Sequence, residues 1–216
     1  MIKQFNKNTY LAFIDICGFK NFMKNKSTAQ EVLNDFYQNC YDLMRQKITL
    51  NSIVISDCAI VFHRIDNDTE KNGLKTILEF VKQLNIIMLK SKYNVLLTSS
   101  ISFGNFNYNK KINLKGMEKN AIYGDAYLDA YFENENGKPK LVPGECRIVK
   151  NEKYLNKINN DLQKIKNSSN FVFETGKKHI YYYWFLNDSQ QISELKIEKS
   201  NAKYIGLKKI YNDYIK

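Results

Sequence analysis

The chain has 216 residues, 44% of them hydrophobic, which is enough for one domain with a full core. No apolar run reaches the roughly 18–20 residues of a membrane span, and no secretory h-region follows Met1, so a cytoplasmic protein is expected. The net charge of +11 implies an anionic partner, but the basic residues form no single block. They spread through the helices and gather loosely in the last third (Lys150, Lys153, Lys157, Lys164, Lys166, Lys177, Lys178), a solvated face more suited to a nucleoside triphosphate than to nucleic acid. Four scattered cysteines, Cys17, Cys40, Cys58 and Cys146, contain no CxxC pair and argue against zinc or a disulfide framework.

Residues 10–16 read as a buried strand carrying Asp15 near its end. Thr28-Ala-Gln-Glu31 has the spacing of a capping box. Val32, Phe36, Cys40, Leu43 and Met44 then recur on one helical face. Residues 53–62, Ile53-Val-Ile-Ser-Asp-Cys-Ala-Ile-Val-Phe62, are too polar at the centre for one straight strand and predict a hairpin hinged at Ser56 and Asp57. Leu74, Ile77, Leu78, Val81, Leu84, Met88 and Leu89 keep the 3.6 period and predict a helix over 70–92.

A strand over 95–103, ended by Gly104, leads into a polar loop over 105–120, long enough to be a functional or interface segment. A short helix over 124–133, a strand over 147–149 and a helix over 154–166 follow. Residues 171–174 and 179–186 make an aromatic hairpin about Gly176, and no internal repeat is visible. The order β-α-β-β-α-β is the ferredoxin-like α+β plan, an antiparallel sheet covered by helices on one face. In that plan the end of the first strand and the central hairpin are neighbours, which brings Asp15 beside Asp57.

Two carboxylates in apolar segments are costly to bury unless they hold a cation. The plain alternative for each is an exposed strand end or a helix N-cap. Gly18 follows Asp15 in Leu11-Ala-Phe-Ile-Asp-Ile-Cys-Gly-Phe-Lys-Asn-Phe22, and the backbone amides of Cys17, Gly18 and Phe19 suit phosphate oxygens, with Lys20 as a further contact or a surface residue. Cys17 and Cys58 read as small packing residues. Arg147, in an apolar context, either contacts a phosphate or pairs with Glu133 or Asp125. Asp125 and Asp129 read as solvated or partner-facing. His63 and His179 belong to no triad pattern. Tyr181-Tyr-Tyr-Trp-Phe185 reads as an aromatic strand that closes the sheet or a dimer contact, ahead of base stacking.

At these residues the chain resembles class III nucleotidyl cyclases, and more closely the pyrimidine cyclases of bacterial Pycsar anti-phage systems. Phe13-Ile-Asp-Ile-Cys-Gly-Phe19 is similar to their first metal motif and Ile55-Ser-Asp-Cys58 to the second. Ile101-Ser-Phe-Gly104, Tyr123-Gly-Asp-Ala-Tyr-Leu-Asp-Ala-Tyr-Phe-Glu133 and Cys146-Arg-Ile148 resemble later motifs in the same order. The resemblance covers about residues 10–150 of a single domain spanning 1–216, with a core over about 8–150 and an extension over 151–216.

The resemblance implies two divalent cations, Mn2+ or Mg2+, held by Asp15, Asp57 and the Ile16 carbonyl. It implies catalysis by Asp15, Asp57 and Arg147, and a triphosphate on Cys17, Gly18, Phe19 and Lys20. Asn51, Ser52 and Thr98 become base-pocket candidates. A homodimer with shared active sites is implied too, its product a cyclic pyrimidine nucleotide read by a separate effector. The purine cyclases carry Asn and Arg where this chain has Leu128 and Phe132, and the pyrimidine branch often has Arg in place of Thr98. The first departure fits the pyrimidine branch, the second departs from that branch itself and leaves the base open, and a degenerate nucleotide-binding domain is the alternative.

Overall fold

A computed structural model describes residues 3–64, 72–109, 121–166, 170–200 and 202–215. The chain opens with β1 (Phe5–Ile16), the short α1 (Phe19–Phe22) and α2 (Lys26–Gln46), followed by the hairpin β2 (Leu50–Ile55) and β3 (Cys58–His63). Then come α3 (Gly73–Lys90), β4 (Leu97–Asn109), β5 (Ala121–Tyr123), α4 (Asp125–Asn136) and β6 (Cys146–Val149). A 3-10 turn (Glu152–Tyr154) runs into α5 (Leu155–Lys166), then β7 (Phe173–Thr175), β8 (His179–Tyr182), α6 (Gln191–Ser200) and α7 (Tyr204–Tyr214). No helix among the described residues is long and apolar enough to cross a membrane.

The sheet has the order β2-β3-β1-β4-β6-β8-β7, with β5 attached to β4. Its first four strands are antiparallel and give the expected ferredoxin-like arrangement, with β1 central. Alternation along β1 divides the molecule. Tyr10, Ala12, Ile14 and Ile16 face a large core with Val32, Phe36, Cys40 and Leu43 of α2 and the apolar stripe of α3. Leu11 and Phe13 face a smaller core closed by Ala126 and Ala130 of α4. Helices therefore cover both faces of the sheet, not one, because α4 packs across β1 and β4.

Other elements also depart from the sequence reading. β4 does not stop at Gly104; its partners on β1 continue from Thr9 opposite Gly104 to Phe5 opposite Tyr108. Gly104 has a packing reason instead. A Cβ there would stand 3.1 Å from Asp125 Cβ and 3.2 Å from the Ala126 nitrogen, so its absence admits the start of α4. Residues 105–109 of the expected loop are thus strand, and 110–120 lie outside the described residues. The cap of α2 is Asn25, whose side chain accepts the Thr28 N–H at 3.1 Å. Glu31 makes no reciprocal capping box and instead binds Lys92 and Tyr93 at 2.8 and 2.7 Å.

The aromatic segment closes the sheet through β8 and then turns inward. Trp184 donates to the Gly144 carbonyl at 2.8 Å, and Phe185 packs on Tyr211 of α7 with ring centroids 4.6 Å apart. Tyr182, Trp184 and Phe185 are buried in their own chain, which leaves them no free surface for a dimer contact. Helices α6 and α7 are additions the sequence reading passed over.

Candidate metal and nucleotide site

The central hairpin and the end of β1 meet as the ferredoxin-like plan requires. In register, Asp15 stands opposite Cys58 on β3 and opposite Thr98 on β4. Directly opposed residues share a face, so Cys58, Asp15 and Thr98 form one row across three strands. Asp57 sits in the two-residue turn of the hairpin, after Ser56, whose φ of 54° is rare for a residue with a Cβ. The Tyr37 hydroxyl donates to the Ser56 carbonyl at 2.7 Å, and the Ile16 N–H donates to the Asp57 carbonyl at 3.1 Å. These two contacts tie the turn to α2 and to the end of β1.

One ligand atom from each of Asp15, Asp57 and Cys58 falls within 4.8 Å of the others. The Cys58 thiol donates to Asp15 Oδ1 at 3.1 Å, so Cys58 is more than a packing residue. Burial pushes the Asp15 carboxyl up to about 6, the thiol opposes this, and the charges of Asp57 and Glu135 reinforce it. Those two charges are both negative. A half-buried carboxylate pair with such neighbours has the chemistry that a divalent cation relieves, and its oxygen donors fit Mg2+ or Mn2+.

Beside Asp15 lies a cavity of about 420 Å³ whose walls include Cys17, Gly18, Thr98, Asn134, Lys140 and Leu141. Gly18 adopts the left-handed conformation, φ 72°, that starts α1 and turns the chain around the cavity. The Cys17 N–H is engaged with the Leu96 carbonyl at 2.9 Å, which leaves Gly18 and Phe19 as the amides of the expected phosphate loop. The Phe19 side chain is buried and Lys20 is exposed on α1.

Three expected site residues lie elsewhere within one chain. Asn51 and Ser52 line a separate shallow pocket with Tyr41, Arg45 and Ile48. Asn51 pairs with Phe62, which pairs with Leu11, and four residues along a strand is about 13 Å from Asp15. Arg147 is 1% exposed. Its guanidinium donates to Glu133 Oε1 at 2.8 Å, Glu145 Oε2 at 3.1 Å and the carbonyls of Pro139 and Lys140. Pairing with Glu133 is therefore the arrangement seen, with Arg147 bracing the loop whose Lys140, Leu141 and Pro143 wall the cavity.

Asp125 binds Lys153, Asp129 binds Asn151, and both histidines are buried.

One feature of the site is absent from the sequence reading. The Ser102 hydroxyl donates to the Ala126 carbonyl, the Ser100 hydroxyl to the Ala130 carbonyl at 2.5 Å, and the Thr98 hydroxyl to Asn134 Oδ1 at 3.3 Å. Two strand residues advance about 6.6 Å and four helix residues about 6 Å, so the repeats match. The available signal was alternate hydroxyls at 98, 100 and 102 against small residues four apart at 126 and 130.

No protein-family model matches the chain, and no curated protein matches it. Solved structures do. The adenylyl cyclase CyaB from P. aeruginosa is 14% identical, with a TM-score of 0.57 over 84% of this chain and 95% of that one. The guanylate cyclase domain of RhGC from Catenaria anguillulae, in complex with GTP, is 13% identical, with a TM-score of 0.62 over 84% and 97%. The catalytic core of a rhodopsin-guanylyl cyclase with converted specificity, in complex with ATPαS, is 14% identical, with a TM-score of 0.62 over 84% and 98%. The fold is thus that of class III nucleotidyl cyclase domains.

Proposed function

We propose that the chain is a nucleotidyl cyclase acting on a pyrimidine nucleoside triphosphate, UTP first and CTP next, releasing the 3′,5′-cyclic monophosphate and pyrophosphate. The observation that carries this reading is the meeting of Asp15 and Asp57 at one sheet end, in a fold shared with cyclase domains. Asp15, Asp57 and the Ile16 carbonyl would hold two divalent cations, Mn2+ or Mg2+. When bound, such cations lower the pKa of the ribose 3′-hydroxyl and offset phosphate charge.

The 3′-oxygen attacks the α-phosphorus in line, and the bond to the bridging oxygen of the β-phosphate breaks. The Gly18 turn aims the Gly18 and Phe19 amides at the phosphates, and exposed Lys20 adds positive charge. Leu128 and Phe132 replace the polar pair of purine cyclases, which supports a pyrimidine substrate. The active enzyme is a homodimer, and its product serves as a second messenger in anti-phage defence, sensed by a separate effector.

The test incubates purified protein with each of the four ribonucleoside triphosphates and Mn2+, with products identified by mass spectrometry. Cyclic UMP or cyclic CMP is expected from the unaltered chain, and none from Asp15→Asn or Asp57→Asn. ATP or GTP as best substrate would end the pyrimidine assignment. A second reading, a degenerate nucleotide-binding domain, is favoured by the same Leu128 and Phe132; it predicts nucleotide binding with no cyclic product from any triphosphate.

A further inference from the structure

The third hydroxyl contact between β4 and α4 differs from the other two. Ser102 and Ser100 reach backbone carbonyls of alanines four residues apart, and the same spacing continued to 134 would bring a third alanine opposite Thr98. Asn134 stands there instead. It is 6% exposed, its Oδ1 accepts from Thr98, and its Nδ2 is buried with no hydrogen-bond partner. Buried amides are nearly always paired, because an unpaired donor keeps its full desolvation cost. Asn134 also walls the cavity that holds Asp15, Thr98 and Gly18. One end of the amide is fixed on Thr98, and the other, a buried donor without a partner, belongs to a residue of that cavity's wall.

We infer that Asn134 is a ligand-reading residue of this cavity, donating a hydrogen bond from Nδ2 to an acceptor oxygen of the bound nucleotide. The inference rests on the cyclase reading and deepens it. An NH2 group offers donors only, so it pairs with a base carbonyl such as uracil O4 or with a phosphate oxygen. It gives no bond to the N4 amino group of cytosine, itself a donor. Thr98, directly opposite Asp15 on the neighbouring strand, is the positioning residue that sets the amide's direction.

The experiment is calorimetric titration of the full chain, with Mn2+, by 3′-deoxy-UTP, 3′-deoxy-CTP and inorganic triphosphate; the deoxy nucleotides lack the attacking hydroxyl. Asn134→Ala is compared with Asn134→Asp, which keeps the shape and turns the donor into an acceptor, and melting curves confirm that each variant is folded. About tenfold weaker 3′-deoxy-UTP binding by Asn134→Ala is expected, with a larger loss for Asn134→Asp. Unchanged inorganic triphosphate and lost preference for the uridine analogue identify a base carbonyl; equal weakening of all three ligands identifies a phosphate oxygen. If both variants bind everything as tightly as the unaltered chain, the inference fails while the cyclase reading stands. If the unaltered chain binds none of the three, both fail together.

Discussion

The Cys58 thiol hydrogen is directed at Asp15 Oδ1 over 3.1 Å, across the β1–β3 pair, so a neutral donor holds the carboxylate that carries the proposed metal chemistry. That contact favours the ionised form of Asp15 against its burial. Cys58→Ala removes it and raises the carboxyl further. Mn2+ binding at pH 7 should weaken by about tenfold and recover as the pH is raised. Cys58→Ser, which keeps a donor, should bind close to normally. Calorimetric titration over a pH series checks both. Equal binding by Cys58→Ala at every pH would show that the thiol does not support Asp15.

Asp15→Asn should make the metal-free protein more stable at pH 7. The carboxyl titrates near 6 in the fold against 3.8 for the free side chain. Its stabilising contribution is therefore present below about 3.8 and lost as the pH rises through about 6. The variant's gain, about 2–6 °C in Tm, should be largest above pH 6 and shrink towards pH 4. Mn2+ should raise the Tm of the unaltered chain and leave that of the variant almost unmoved. Scanning calorimetry at several pH values reads each of these.

Arg147→Met should destabilise the chain by about 3–5 kcal/mol, because it strands the mostly buried Glu133 and Glu145. Urea denaturation measures this. If Arg147→Met kept full stability and lost only turnover, Arg147 would return as a phosphate contact.

On the outer side of α4, Leu128 and Phe132 are 48% and 50% exposed. Such apolar exposure suits a contact between two copies of the chain. Leu128→Glu with Phe132→Glu should shift sedimentation from dimer to monomer and abolish cyclisation together. An active monomer would exclude an active site shared between subunits.

How far the sequence could be read depended on where each residue finds its partners. β1 and the β2–β3 hairpin were legible because two carboxylates interrupt apolar runs, and their adjacency follows from topology alone. Gly104 was misread as a stop because its reason, the close approach of α4, lies more than twenty residues downstream. Asn134 drew no notice in the sequence, because the hydroxyl it binds belongs to Thr98, 36 positions earlier in the chain. Arg147 had its pairing with Glu133 named as an option, and only the packed structure shows that pair formed. Helix α6 has a weak apolar stripe with Leu195 as its buried residue, too little for periodicity to register.

The paired hydroxyl contacts between β4 and α4 mesh like two gears of nearly equal pitch, four residues on the helix to two on the strand. One residue inserted between Ala126 and Asn134 would rotate everything beyond it by about 100° and swing Asn134 away from Thr98. A four-residue insertion would restore the phase but carry the side chain roughly 6 Å past Asp15. The length of α4 between these positions therefore acts as a ruler. Drift in chain length here would require β4 to change in step.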